Sequence, residues 1–183
     1  MTDSFITVTK RSREEIVINR SKFIGYASPC ADENETLSFI RQIKEENRTA
    51  THNCYAYVLG ENSGIIRYSD DGEPGGTAGM PILDVIRTRH IVNCCVVVTR
   101  YFGGILLGTG GLVRAYTQSC QAALNAAGIS VMRMTSDDTC SIPYSYWDRI
   151  RYISENLPAR IEHVEYGSDI SFHLQYCCND KES

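Results

Sequence analysis

Two glycine-rich stretches hold most of the residues in this chain that can do chemistry. The first reads Ser69-Asp70-Asp71-Gly72-Glu73-Pro74-Gly75-Gly76-Thr77-Ala78-Gly79-Met80-Pro81. Glycines that run into a helix start present backbone amides with no partner inside the helix, and such amides suit an anion. Asp70, Asp71 and Glu73 would repel that anion unless a base or a cation offset them. Three carboxylates in four residues can hold Mg²⁺ when further ligands converge on it. Without such ligands the same cluster is a solvated turn, and no metal is assigned to it.

The second stretch reads Arg100-Tyr101-Phe102-Gly103-Gly104-Ile105-Leu106-Leu107-Gly108-Thr109-Gly110-Gly111, and Leu112-Val113-Arg114 opens a predicted helix. It lacks the lysine and hydroxyl that follow the last glycine of a Walker loop, and it does not match G-x-G-x-x-G. A strand, a glycine-rich turn and a helix start still make a cradle for an oxyanion or phosphate. Arg100 at the strand end and Arg114 one turn into the helix are expected to converge around the free amides of Gly110 and Gly111. Glycines that only permit a tight turn and close packing would give the same spacing.

His52-Asn53-Cys54 places a thiol near a base, but adjacent strand residues point apart and the sequence identifies no acid to orient the histidine. His52 therefore reads as a polar group on the loop surface. Tyr55, Tyr57, Tyr101 and Tyr116 offer rings for stacking on bases, although Tyr57 and Tyr116 fit core periodicity equally well.

The chain that must position these residues has 183 of them, enough for one larger domain and a small one. No apolar run approaches the roughly 18 residues of a membrane span, and the start lacks the basic and apolar segments of a secretory signal, so a cytoplasmic protein without membrane partners is expected. Eight cysteines without C-x-x-C or C-x-x-H spacing read as reduced thiols, with neither disulfides nor zinc. The net charge of −4 argues against general nucleic-acid affinity. Its distribution is uneven: residues 32–73 carry nine acids against four bases, whereas residues 85–133 carry five arginines and no acid. That asymmetry permits a local anion site on an acidic protein.

Alternating stretches at 5–8, 15–18 and 22–26 predict an antiparallel start, with Asn19-Arg20-Ser21 as a turn. A helix over about 33–47 should present Leu37, Ile40 and Ile43, and residues 54–59 and 65–68 should form a hairpin. A helix over about 78–89 has Thr77 as its best cap. Val92 to Thr99 is a continuous apolar run, as in a strand covered on both faces, and the helix after the second loop carries a stripe from Leu112 to Ala127 that Gly128 ends. Residues 129–134 should close the sheet, with Thr135-Ser136-Asp137-Asp138 as the boundary between a domain of residues 1–134 and a module of residues 135–183. The module reads strand, helix, strand, strand, which is two-thirds of a ferredoxin-like unit. The chain stops before that unit is complete, and a second copy of the chain is the simplest expected cover.

Residues 69–83 (SDDGEPGGTAGMPIL) and 96–116 (VVVTRYFGGILLGTGGLVRAY), with Ser21 to Ile24 and Thr51 to Tyr57, closely resemble the YigZ/IMPACT family. The resemblance covers most of residues 15–134. It implies an α+β fold, with an N-terminal β-α-β sandwich similar to domain IV of elongation factor G. The C-terminal part is similar to the small, ferredoxin-like second domain of bacterial members, although here it is short. Eukaryotic members carry an extra N-terminal partner-binding domain and relieve translational repression by competing for the activator of a starvation-sensing kinase. This chain starts directly in the shared domain, so that activity is not carried over to it. Two readings follow. One is a non-catalytic, translation-linked module that needs no cofactor and recognises RNA or a ribosome-associated protein through His52, Tyr55, Asp70, Asp71, Glu73, Thr77, Arg100, Tyr101, Gly110, Gly111 and Arg114. The other is a Mg²⁺-dependent enzyme acting on a phosphorylated small molecule.

Overall fold

The computed structural model describes residues 4–157 and 159–177. Its strands are β1 (Ser4–Val8), β2 (Ser12–Ile18), β3 (Ser21–Pro29), β4 (His52–Leu59), β5 (Ile65–Ser69), β6 (Cys94–Tyr101), β7 (Ile129–Arg133), β8 (Thr135–Ile142), β9 (Ala159–Tyr166) and β10 (Ile170–Cys177). Its helices are α1 (Glu33–Glu46), α2 (Gly79–Thr88), α3 (Gly108–Ala127) and α4 (Tyr144–Glu155). The fold is α+β. Among the described residues two compact units can be distinguished, one of Phe5–Val131 and one that starts at Met132 and also takes in Ser4.

The larger unit is built on a five-stranded antiparallel sheet in the order β2-β3-β6-β4-β5. The apolar run of β6 takes the central place, with seven of its eight residues buried. Alternation then assigns the faces. Phe23, Ala27, Cys54, Ala56, Cys94, Val96 and Val98 meet the helical pair α2 and α3 in one core. Ile24, Tyr26, Tyr57, Cys95 and Val97 meet Phe39, Ile40 and Ile43 of α1 in a second core on the opposite face. Burying an aliphatic or aromatic side chain of this kind is worth about 1.5–3 kcal/mol each, so two cores clamp the central strand.

Local chemistry sets the connections. Asn19 and Arg20 both adopt positive φ, 46° and 64°, which matches the twist of a two-residue hairpin between β2 and β3. Helix α1 begins with a reciprocal cap: Glu35 N–H donates to Asp32 Oδ1 at 2.8 Å, and Ala31 N–H donates to Glu35 Oε2 at 2.8 Å.

Several expectations need correction. The buried face of α1 is Thr36, Phe39, Ile40 and Ile43, while Leu37 is 42% exposed, because the stripe lies one position around from the one anticipated. Strands β1 and β7 form a separate two-stranded sheet, so the chain's first strand does not join the antiparallel start and residues 129–133 do not close the main sheet. The polar tetrapeptide 135–138 is no link: it belongs to β8 and pairs with β10 from Thr135↔Cys177 to Asp138↔Leu174.

The smaller unit has the anticipated strand, helix, strand, strand order and a sheet arranged β8-β10-β9, antiparallel throughout. Trp147 of α4 packs on Phe172 at 5.5 Å between ring centroids, over buried Ile170 and Phe172. No residue of α4 is buried, and Tyr144, Tyr146 and Tyr152 are exposed. Among the described residues no helix is long and apolar enough to cross a membrane.

Candidate functional site

Register brings the chemistry together. Phe23 of β3 lies opposite Arg100 of β6, and Arg100 lies opposite His52 of β4, so the three form a row at one end of the sheet on the α2/α3 face. The first glycine-rich loop closes over this row. Glu73 drops its carboxylate under the loop, where Oε1 accepts from Arg100 Nη1 at 2.7 Å and from the Tyr116 hydroxyl at 2.7 Å. Arg100 is 5% exposed and Glu73 7%. The guanidinium lies between the rings of Phe23 and Phe102, at 5.6 and 5.5 Å from their centroids. A charge pair this deep survives only because each partner satisfies the other. Among the described residues, Arg100 Nε and Ser119 Oγ are the buried side-chain atoms without a partner.

The other two carboxylates of the loop go elsewhere. Asp70 accepts three backbone amides, Gly76 on Oδ2 at 2.9 Å, and Ala78 and Gly79 on Oδ1 at 3.0 and 2.8 Å. It therefore caps α2 from eight residues upstream of Ala78. Thr77, the cap anticipated from sequence, instead donates its hydroxyl to the Pro74 carbonyl at 2.7 Å. Asp71 reaches the opposite face, pairing with Lys44 of α1 at 2.6 Å and accepting from Asn53 N–H at 2.7 Å. The three acids diverge, and no cluster of three or more His, Cys, Asp and Glu side chains suited to a metal occurs among the described residues.

His52 and Cys54, two residues apart, share a face. The histidine Nδ1 lies 2.8 Å from the Asp71 carbonyl, which can only accept, so Nδ1 carries the proton and Nε2 is left 3.9 Å from Glu73 Oε2. An acid thus does face the histidine, which the sequence did not reveal. The thiol of Cys54 donates to the Asp70 carbonyl at 3.0 Å and also contacts the Tyr116 hydroxyl at 3.4 Å. Burial pushes this thiol up to about 12, opposed by the Tyr116 hydrogen bond and reinforced by the charges of Glu73, Asp71 and Asp70. Burial also raises Tyr116 far above the ordinary tyrosine value, followed by the effects of Cys54 and Glu73. A thiol held protonated in this way is no nucleophile.

The second loop leaves the sheet at Tyr101 and is pinned at its base, where Phe102 N–H donates to Thr51 Oγ1 at 3.0 Å and Gly103 N–H to Ser21 Oγ at 3.1 Å. A Cβ on Gly103 would stand 2.1 Å from the Arg20 backbone, so only glycine fits there. Gly104 and Gly108 adopt positive φ, 84° and 68°. Helix α3 then starts without a side-chain cap. Between the two loops lies a cleft of about 410 Å³ whose walls include His52, Glu73, Arg100, Phe102, Leu106 and Thr109.

The anticipated site residues are thus only partly gathered. His52, Glu73 and Arg100 meet at the cleft, and Asp70, Asp71 and Thr77 brace its first loop. Arg114 does not join Arg100: its Nε donates to the Gly110 carbonyl at 3.2 Å, and the side chain lies outside the cleft walls. Tyr55 and Tyr101 are on the opposite sheet face. Tyr55 is stacked on Tyr57 at 6.3 Å, and Tyr101 donates to Asn47 Oδ1 at 3.0 Å. Thr51, Phe102, Leu106 and Thr109 were missed, although an apolar triplet inside a glycine-rich loop, Ile105-Leu106-Leu107, was a readable sign of an exposed contact surface.

Comparison with known proteins places this architecture. The Impact N-terminal domain matches residues 19–124. The IMPACT family member YvyE of Bacillus subtilis is 41% identical over 172 residues, 94% of this chain and 79% of its own length. An IMPACT family member of Haemophilus influenzae is 44% identical over 161 residues, covering 86% of this chain and 76% of the relative. A solved structure described only as a hypothetical protein superposes with a TM-score of 0.71 at 27% identity, over 100% of this chain and 89% of that one. By the domain match and these identities, the chain belongs to the IMPACT family.

Proposed function

We propose that the protein is a non-catalytic, translation-linked regulatory module that binds a component of the ribosome, RNA or an associated protein, through the cleft between its two glycine-rich loops. Family membership supports the link to translation. The observation that carries the non-catalytic part is that the thiol, the phenol and the three loop carboxylates at or near the cleft are already engaged within the protein. Cys54 is held as a thiol, Tyr116 and Arg100 are tied to Glu73, and the carboxylates that would have held Mg²⁺ point to three different places. What the cleft has left to offer is contact surface: Phe102, Ile105 and Leu106 are exposed on its second loop, Leu106 at 84%. Exposed apolar side chains beside a charged floor suit recognition better than turnover.

The test is co-sedimentation of the purified protein with ribosomes across a salt titration. Salt-sensitive association is expected, because a partner reached through phosphates loses affinity as counterions compete. Absence of association at low salt, or Mg²⁺-dependent conversion of a phosphorylated compound by the protein alone, would reject the reading.

A further inference from the structure

We infer that the floor of the cleft, His52 Nε2 together with Glu73 Oε2, is a receptor for one lysine ammonium of a protein partner; this rests on the binding reading above and chooses the protein over the RNA. The two atoms come from different parts of the chain, β4 and the first glycine-rich loop, and both residues line the cleft. Both atoms are acceptors. The Asp71 carbonyl engages the protonated Nδ1 of His52, which leaves Nε2 as a lone pair. Glu73 spends Oε1 on Arg100 and Tyr116, and no hydrogen bond within the described residues occupies Oε2. The buried side-chain atoms without a partner among those residues are Arg100 Nε and Ser119 Oγ. Oε2 is not one of them, so it keeps accessible surface although the Glu73 side chain is 2% exposed, whereas Arg100 Nε is sealed and offers a ligand nothing. Two acceptors 3.9 Å apart repel until a donor reaches both. A single nitrogen about 2.8 Å from each would see them about 90° apart, which an ammonium with three N–H groups can span and a hydroxyl with one cannot.

Charge and shape narrow the donor further. Asp70, Asp71 and Glu73 bring three carboxylates, and the cations paired with them are Lys44 and Arg100. Among the described residues of the cleft walls Arg100 is the one permanent cation, and it is committed to Glu73. The local balance is negative, which repels a phosphate chain and favours a positive ligand. Phe102, Leu106 and Leu107 line the same cleft, with Leu106 84% exposed at its rim and Glu73 buried at its base. A side chain that enters therefore passes apolar surface before it meets the acceptors. Four methylenes ending in an ammonium match that order.

The experiment is an amide chemical-shift titration of the full chain with a capped pentapeptide carrying lysine at its centre, repeated with its norleucine and glutamate counterparts and with octauridylate. Saturable shifts at His52, Glu73 and Phe102 are expected with the lysine peptide, at an affinity about tenfold or more above the other two peptides. Equal affinity for lysine and norleucine would make water the only donor on the floor and overturns the inference. Tighter binding of octauridylate at these residues assigns the cleft to RNA and overturns it as well. Glu73→Ala would strand Arg100, so the decisive variant is His52→Lys, which brings an ammonium of its own beside Glu73. It should keep the wild-type melting temperature and weaken the lysine peptide by about tenfold or more, and unchanged affinity overturns the site. Thr109→Lys, at an exposed position of the cleft wall, asks the same question without touching the buried pair. It should weaken the lysine peptide and strengthen the glutamate peptide, and no change in either counts against the receptor. Ribosome association that persists in His52→Lys overturns the receptor and leaves the ribosomal reading standing, while lysine-peptide binding without ribosome association by the wild type does the reverse.

Discussion

In the loop of residues 69–81 each acid is committed, Asp70 to three amides, Asp71 to Lys44 and Asn53, and Glu73 to Arg100 and Tyr116. In the stretch from Phe102 to Gly111 the base is pinned by two hydrogen bonds, but the tip exposes Ile105 and Leu106 and the following helix starts uncapped. The two segments are alike in glycine content and opposite in what remains unspent. One uses its charges internally; the other leaves apolar side chains exposed and the start of α3 without a cap from Leu107. A cluster of acids in a glycine-rich loop is therefore not in itself a ligand site, since here each acid has a partner inside the protein.

The contrast breaks first at its deepest contact. Glu73→Ala or Arg100→Ala should each cost about 3–5 kcal/mol, because either change strands a buried charge. Urea unfolding measures this, and a loss below about 1 kcal/mol would show that the first loop is not a scaffold. Asp70→Ala comes next at about 2–3 kcal/mol, through the loss of three charge-assisted hydrogen bonds, while Thr77→Ala should cost less than about 1 kcal/mol. A reversed order would restore Thr77 as the cap of α2.

A pH dependence of smaller size follows from Cys54. Its folded-state value, raised by burial to about 12 from 9.0, means that the folded protein keeps a proton which the unfolded chain gives up. The associated stability is complete below about pH 9 and is lost as pH rises toward about 12, by something on the order of 1–3 kcal/mol. Tyr57, raised by burial from 10.0 to about 12, acts in the same direction. Unfolding of the wild type and Cys54→Ala compared between about pH 8 and about pH 11 should show a shallower slope in the variant. Equal slopes would place the destabilisation elsewhere. The smallest expected stability change belongs to the second loop: Leu106→Asp should stay within about 0.5 kcal/mol of wild type yet weaken ribosome co-sedimentation. A variant that unfolds readily, or that binds as before, would erase the distinction between the loops.

Much of the fold was legible because its signals are local. The unbroken apolar run of residues 92–99 announced a strand covered on both faces, the stripe from Leu112 to Ala127 announced α3, and the two glycine-rich segments marked where a cleft would open. Periodicity, caps and glycine content act over a few residues and need no knowledge of the rest of the chain. The pairing of charges was different. The sequence showed Asp70, Asp71, Glu73, Arg100 and Arg114, but three acids and two arginines can be matched in several ways, and the choice was made by the register that sets His52 opposite Arg100 and by the placement of Glu73 against Arg100. The same holds for β1, which finds β7 across more than a hundred residues, and for 135–138, whose polar side chains suit a loop until β10 arrives to pair with them. The sequence by itself determined which segments form strands, helices and glycine-rich turns, since backbone preference and side-chain burial pattern are properties of neighbours. Only the tertiary structure decided which donor meets which acceptor, since that depends on groups distant in sequence being brought within about 3 Å in a buried space where no water can take either partner's place.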